Sequence, residues 1–185
     1  MLQDHEFEKQ YWGDCTNTFD EDQKHYVYAK LMGLTRRHYS FDVGHKSIID
    51  IGGGPSSILL KTINLVRGLV VDPIQYPEWT RARYAIKNIS VSTKMGEEVN
   101  ESGWDEVWIY NCLQHTHDPA RVIENAKKAA PVLRIFEWID IEPHDGHPHE
   151  LSSDLLNQWI GGYGNIINLA ESGCFGRAYY GIFQQ

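Results

Sequence analysis

Three groups of residues in this 185-residue chain have the types and spacing to do chemistry. The first is Ile48-Ile49-Asp50-Ile51-Gly52-Gly53-Gly54, an apolar run that breaks into an acid and then three glycines. Glycines let a turn tighten and approach a ligand closely, because nothing bulky hangs off the backbone. The second is Asp72, which follows Asp50 by 22 residues and closes the run Gly68-Leu69-Val70-Val71. That is the spacing of a ribose-binding acid at the end of a second strand, where an ionised carboxylate can accept from two vicinal hydroxyls. The third comprises His115, Glu137 and the stretch Glu142–Ser152, which carries His144, His147 and His149.

Three chemistries are open to the histidines. Imidazole and carboxylate are ligands for zinc or iron-type ions, but Gly146 and Pro148 leave a metal geometry unspecified. The loop could be solvated and inert. Acceptor binding with general-base work and no metal is the favoured expectation, because imidazole takes up a proton near neutral pH. In this reading Glu137, His147 and His115 are the candidate catalytic residues, Glu137 holding a histidine in the needed tautomer or binding an amine.

These groups need a scaffold. The glycine run followed by Ile58, Leu59, Leu60 and Ile63 predicts strand, tight turn and helix. A helix is predicted over 120–130, a strand over 132–138, and a helix from Ser152 to Ile160 capped by Ser152 or Ser153. Residues 165–170 and 177–183 alternate as two strands joined by a turn at 172–176. Upstream, Thr18 and Glu21 fit a capping box opening a helix through Leu34. Residues 11–17 have no helical or strand period, which suits a segment laid across a cleft. The alternative is that Tyr11, Trp12 and Phe19 only cover edges of the core. Ligands of open α/β sheets bind beyond the carboxyl ends of the strands, which is where all three chemical groups fall.

The glycines alone do not choose a cofactor. A dinucleotide fingerprint wants glycine at position 57, where serine stands, and Asp50 tips the choice. Here the chain resembles class I S-adenosylmethionine-dependent methyltransferases, whose first motif, acid-x-Gly-x-Gly-x-Gly, maps onto Asp50, Gly52, Gly54 and Ser56, the last glycine being replaced. Met95-Gly96-Glu97-Glu98-Val99 resembles the family's adenine-side segment, with Met95 where an acid is usual. Residues 104–119 resemble its fourth strand and following loop. The resemblance covers about residues 46–140. It implies a doubly wound α/β fold with a seven-stranded mixed sheet, the Rossmann-like methyltransferase fold, with an N-terminal helical cap. It also implies S-adenosylmethionine as cofactor and S-adenosylhomocysteine as product. The implied cofactor-binding residues are Asp50, Gly52, Gly53, Gly54, Asp72, Pro73, Met95, Gly96, Asn111, Cys112 and Leu113, with Tyr11 from the segment laid across the cleft.

Length suits one compact domain, read as a cap segment and helix over 1–45 and a methyltransferase domain over 46–185. Neither a signal peptide nor a membrane span is legible in the sequence, and three cysteines without metal or redox spacing fit reduced thiols, so a cytoplasmic location is expected. A net charge of −8 with scattered basic residues argues against nucleic acid, whose binding rests on phosphate neutralisation. No Asn/Asp-Pro-Pro-Tyr/Phe motif follows the fourth strand, where Asn111-Cys112-Leu113-Gln114 stands, which disfavours nucleobase amino methylation. The expected partner is a small-molecule acceptor methylated on oxygen or nitrogen. The rivals are a binding protein of the same fold without turnover and, disfavoured by Asp50 and Ser57, a nucleotide-dependent oxidoreductase. Oligomeric state is not legible.

Overall fold

A computed structural model describes residues 3–16, 18–170 and 176–185. Its strands are β1 (Thr35–Arg37), β2 (Ser40–Ile51), β3 (Thr62–Val71), β4 (Ile89–Ser92), β5 (Glu106–Tyr110), β6 (Val132–Trp138), β7 (Asn165–Asn168) and β8 (Arg177–Gln184). Seven of them lie in the order β4-β3-β2-β5-β6-β8-β7, and β1 pairs antiparallel with β2 to make an eighth. The strands from β4 to β6 are parallel, with Ile49 opposite Leu69 and Val107, whereas β8 runs antiparallel to both β6 and β7. The sheet is therefore the expected mixed one, with one extra strand. Most of the predicted turn over 172–176 lies outside the described residues.

Alternation along the strands sorts the core into two faces. Ile49, Ile51, Val107, Ile109, Leu133 and Ile135 point to one side, where they meet helices α4 (Pro119–Ala129) and α5 (Ser153–Ile160). Ile48, Val70, Trp108, Tyr110, Phe136 and Trp138 point to the other, against α2 (Phe19–Leu31) and α3 (Glu78–Ile86). The caps on the first side follow local chemistry. Asp118 accepts from the Arg121 amide at 3.0 Å ahead of Pro119, Ser152 accepts from the Leu155 amide at 3.3 Å, and Gly161 ends α5 at φ +80°.

The largest departure from the sequence reading lies between β2 and β3. No α-helix forms there: Ile58–Lys61 is a 3₁₀ turn, and β3 begins at Thr62. A parallel crossover usually takes a dozen or more residues and a helix; here ten suffice, because Thr62, Ile63 and Val66 are β-branched and extend the strand backwards. The face left open is covered by α2, whose Tyr28 and Ala29 are fully buried along with Met32 just after it, and whose Tyr28 stacks on Phe136 at 4.2 Å. Each large side chain buried this way contributes about 1.5–3 kcal/mol.

Upstream, residues Gln3–Trp12 form helix α1, so Tyr11 and Trp12 are helical, contrary to the aperiodic reading. Thr18 has a helical backbone and makes no side-chain cap, so the capping box does not form. The expected boundary at 45/46 falls inside β2.

Candidate active site

A cavity of about 370 Å³ opens at the carboxyl ends of β2, β3 and β5, a volume within the range of small-molecule sites. Its floor is Ile51–Gly54, Asp72–Ile74 and Asn111–Cys112, with Met95 and Gly96 at one end. Helix α1 roofs it through Phe7, Glu8, Tyr11 and Trp12, and His115, His144 and His147 close the far side. Several contacts hold the roof: Trp12 packs on Cys15, Ile74 and Tyr76, Glu8 lies 3.3 Å from His115 Nδ1, and Phe7 covers Gly146, where a Cβ would collide with the ring, 2.9 Å from Cε1.

Two acids organise the glycine loop from opposite sides. Asp50 is fully buried on the α2 side of the sheet, accepting from Tyr110 Oη at 2.5 Å and from Ser57 Oγ. It lies beneath the loop, its Oδ2 2.7 Å from where a Cβ on Gly53 would stand. Asp50 is thus outside the cavity lining, contrary to its expected place among the cofactor contacts, and it acts by shaping the loop. Asp72 does line the cavity, but it is not unpartnered: Oδ2 accepts from the Gly54 amide at 3.0 Å, and Oδ1 from the Ile74 amide at 3.0 Å and Tyr76 Oη at 3.2 Å. Of about four acceptor directions on a carboxylate, three are taken. One remains on Oδ2, enough for one ribose hydroxyl rather than the two expected.

Helix α3 clamps the same loop. Tyr84 Oη donates to the Gly54 carbonyl at 2.8 Å and accepts from the Ser57 amide at 2.8 Å, while Arg83 holds the Pro55 carbonyl. Tyr110 Oη accepts from the Ile58 amide at 3.0 Å. Neither tyrosine is a candidate on sequence grounds, since the amides they hold lie 27 and 52 positions upstream. Gly52 and Gly54 need their glycines: both have positive φ, +75° and +60°, and a Cβ on Gly52 would come within 2.6 Å of Cys112 Cβ.

After β5, Glu137 is the organiser. Its carboxylate accepts from the amides of Cys112, at 3.0 and 3.2 Å, and Leu113, at 3.1 Å, and so caps the 3₁₀ turn Leu113–His115. Glu137 is fully buried and outside the cavity lining, so its placement does not match the expected contact with an acceptor. Leu113, also fully buried, is outside the lining too. Tyr11, Pro73, Met95, Gly96, Asn111 and Cys112 all line the cavity.

Burial sets the protonation pattern. It raises Asp72 to about 6, Asp50 and Glu8 to about 7 and Glu137 to about 8, and it lowers His147 to about 4 and His115 below its ordinary range. His115 Nδ1 lies 2.6 Å from the Gly146 carbonyl, which can only accept. The ring proton is therefore on Nδ1, and Nε2 carries the lone pair. The His147 ring stands edge-on to His115 at 4.4 Å and 4.2 Å from His144; its Nδ1 is buried with no hydrogen-bond partner among the described residues. His149 bonds the Thr116 carbonyl at 2.8 Å. Among the described residues no group of three such side chains could hold a metal ion, and no helix is long and apolar enough to cross a membrane.

No family model matches this sequence, and no curated protein does. Solved structures do. A SAM-dependent methyltransferase from Aquifex aeolicus superposes with a TM-score of 0.59 at 15% identity, over 88% of this chain and 97% of that one. The N-methyltransferase NodS from Bradyrhizobium japonicum, in complex with S-adenosyl-L-homocysteine, gives 0.62 at 15% identity over 94% and 92%. The mitomycin 7-O-methyltransferase MmcR gives 0.59 at 17% identity, over 88% of this chain and 54% of that one. At these identities the likeness is one of architecture, and the architecture is the class I, Rossmann-like fold of SAM-dependent methyltransferases.

Proposed function

We propose that this protein moves a methyl group from S-adenosylmethionine to an oxygen or nitrogen of a small polar acceptor, with helix α1 acting as the cap over the site. The observation that carries this reading is that one cavity collects the Gly52–Gly54 loop, the Asp72 carboxylate and a neutral His115. The residues fit the cofactor: Asp72 keeps one acceptor direction for a ribose hydroxyl, Gly54 leaves the loop surface bare, and Met95 and Gly96 offer an apolar shelf for adenine. When bound, S-adenosylmethionine supplies an electrophilic methyl group on a sulfonium sulfur.

The protein's tasks are alignment and proton removal. Asp72 and the loop fix one end of the cavity, and α1 excludes water from above. His115 Nε2 accepts the acceptor's proton, while Nδ1–H stays on the Gly146 carbonyl and Glu8, 3.3 Å away, stabilises the imidazolium that forms. His147, packed edge-on, orients that ring or serves as a second base. Glu137 serves by holding the turn that carries His115. The same reading puts the protein in the cytoplasm, in keeping with free thiols at Cys15 and Cys112, and away from nucleic acid.

Calorimetry with S-adenosylmethionine, S-adenosylhomocysteine and NAD tests the cofactor, with binding of the first two expected. Following S-adenosylhomocysteine release across pools of small amines, alcohols and acids tests turnover. Binding without release in any pool would favour a non-catalytic binding protein, and selective NAD binding would overturn the cofactor assignment.

A further inference from the structure

A charge chain runs from the half-exposed Asp22 through Lys61 to the buried His25 on the α2 side of the cavity. Asp22 Oδ1 accepts from Ser56 Oγ at 2.8 Å and from Lys61 Nζ at 2.7 Å, and Lys61 Nζ lies 2.7 Å from His25 Nδ1. An ammonium only donates, so Nδ1 is the unprotonated nitrogen of His25 and the ring proton is on Nε2. The ring is 1% exposed, lines the cavity beside Ser56 and Tyr110, and is held edge-on to Tyr110 at 5.8 Å. Burial and the Lys61 charge push its pKa down to about 3, so it stays neutral and serves as a donor rather than a base.

Most of the backbone amides around it are already taken. A crossover helix after the glycine loop would aim its N-terminal amides and positive dipole end at one, but this chain has only the 3₁₀ turn. The amides of Gly52, Gly54, Ser57, Ile58 and Leu59 are engaged within the protein, by Val71, Asp72, Tyr84, Tyr110 and Ser57. Glu8, Glu21, Asp72 and Glu97 add acid to the lining, and Lys24, its ammonium, is paired with Glu21 at 3.1 Å.

We propose that His25 Nε2–H, backed by Lys61, receives the carboxylate of the cofactor's amino-acid end, and that this α2–turn chain replaces the missing helix terminus. The proposal rests on S-adenosylmethionine being the ligand. A ligand with its ribose at Asp72 and adenine at Met95–Gly96 extends its other end across Gly52–Gly54 towards Ser56 and His25. A carboxylate on the acceptor offers the same chemistry, and the test separates the two.

Calorimetry is run with S-adenosylhomocysteine and with methylthioadenosine, which keeps the adenosyl thioether and lacks the amino acid. His25→Phe should weaken S-adenosylhomocysteine about 10- to 100-fold, the range for a hydrogen bond to a charged group, and leave methylthioadenosine within about twofold. His25→Gln, which keeps a donor, should recover part of the loss. In the wild-type protein, the Nε2 proton resonance of His25 should move on adding S-adenosylhomocysteine and not methylthioadenosine, a readout that needs no variant to fold. Unchanged S-adenosylhomocysteine affinity in His25→Phe, or an equal loss for both ligands, would overturn the proposal. Unchanged affinity with a raised KM for a carboxylate-bearing acceptor would overturn it in favour of the acceptor. A wild-type protein that binds neither ligand would instead refute the cofactor reading on which it stands.

Discussion

Glu137 holds Cys112 by its backbone: both carboxylate oxygens accept from the Cys112 amide, at 3.0 and 3.2 Å, across 25 residues of sequence. The pair joins the end of β6 to the turn after β5, and so fixes where His115 stands. Glu137→Ala should destabilise the fold by about 1–3 kcal/mol, the cost of buried amides left without an acceptor. Denaturant titration measures it.

Stability should fall as pH rises. Burial raises Glu137 to about 8 from an ordinary value of 4.5, and Asp50 and Asp72 to about 7 and 6 from 3.8. A carboxyl with a raised folded pKa binds its proton more tightly in the folded chain. Its contribution is complete below its ordinary value and is lost as pH climbs through the folded one. His25 and His147, held down to about 3 and 4 by burial, act the other way below about pH 6.5, so the melting temperature should decline chiefly between about pH 6.5 and pH 8. Glu137→Gln, whose amide oxygen still accepts and carries no charge, should flatten the upper part of that decline. A melting temperature that rises over this window would contradict the burial assigned to these acids.

Asp72 should matter to ligand and loop alike. Asp72→Ala should weaken S-adenosylhomocysteine by about 1.5–3 kcal/mol, measured calorimetrically. It also frees the amides of Gly54 and Ile74, so circular dichroism must accompany the measurement. Unaltered affinity in a folded variant would remove Asp72 from the site.

The two strained glycines should fail differently. Gly52→Ala meets Cys112 and a φ of +75°, and should lower the melting temperature. At Gly54 a Cβ has room, 3.8 Å from Trp12 and 3.9 Å from Tyr76, despite a φ of +60°. Gly54→Val should then cost about 1–3 kcal/mol of backbone strain while abolishing the ligand-induced thermal shift. A full shift in a folded Gly54→Val would mean that the loop is only a turn.

His115→Ala should leave S-adenosylhomocysteine affinity nearly unchanged and lower turnover of an identified acceptor about 10²–10⁴-fold, the range for a general base. His147→Ala should do the same to a smaller degree if it only orients the ring. Parent rates in both variants would leave alignment as the whole of catalysis.

What the sequence made legible is what repeats locally. The resemblance over 104–119 marks β5, the apolar run at 132–138 marks β6, Ser152 marks a helix start, and the glycine run with Asp72 marks the mouth of the cavity. Residues 58–63 misled because Ile58, Leu59 and Ile63 fit a helical stripe as well as they fit a turn and a strand. Helix α1 gives no apolar period because its contacts, Phe7, Glu8 and Trp12, face a cavity and a loop rather than a core. Asp50 and Glu137 looked like ligand contacts because strand ends hold both functional acids and the acids that brace loops. Their partners, Tyr110 at 60 positions and Cys112 at 25, exist only once the sheet has brought the strands together.

The ten residues from Gly52 to Lys61 are both the proposed cofactor loop and the entire link between two neighbouring strands. In a longer crossover a helix insulates the strands from events at the loop. Here there is no such slack. A ligand that stiffens Gly52–Gly54 pulls directly on the register of β3, and an inserted or deleted residue cannot be absorbed locally. Such a loop resists transplantation: exchanging it for a helix-bearing counterpart would dislodge α2 from the face that helix would claim.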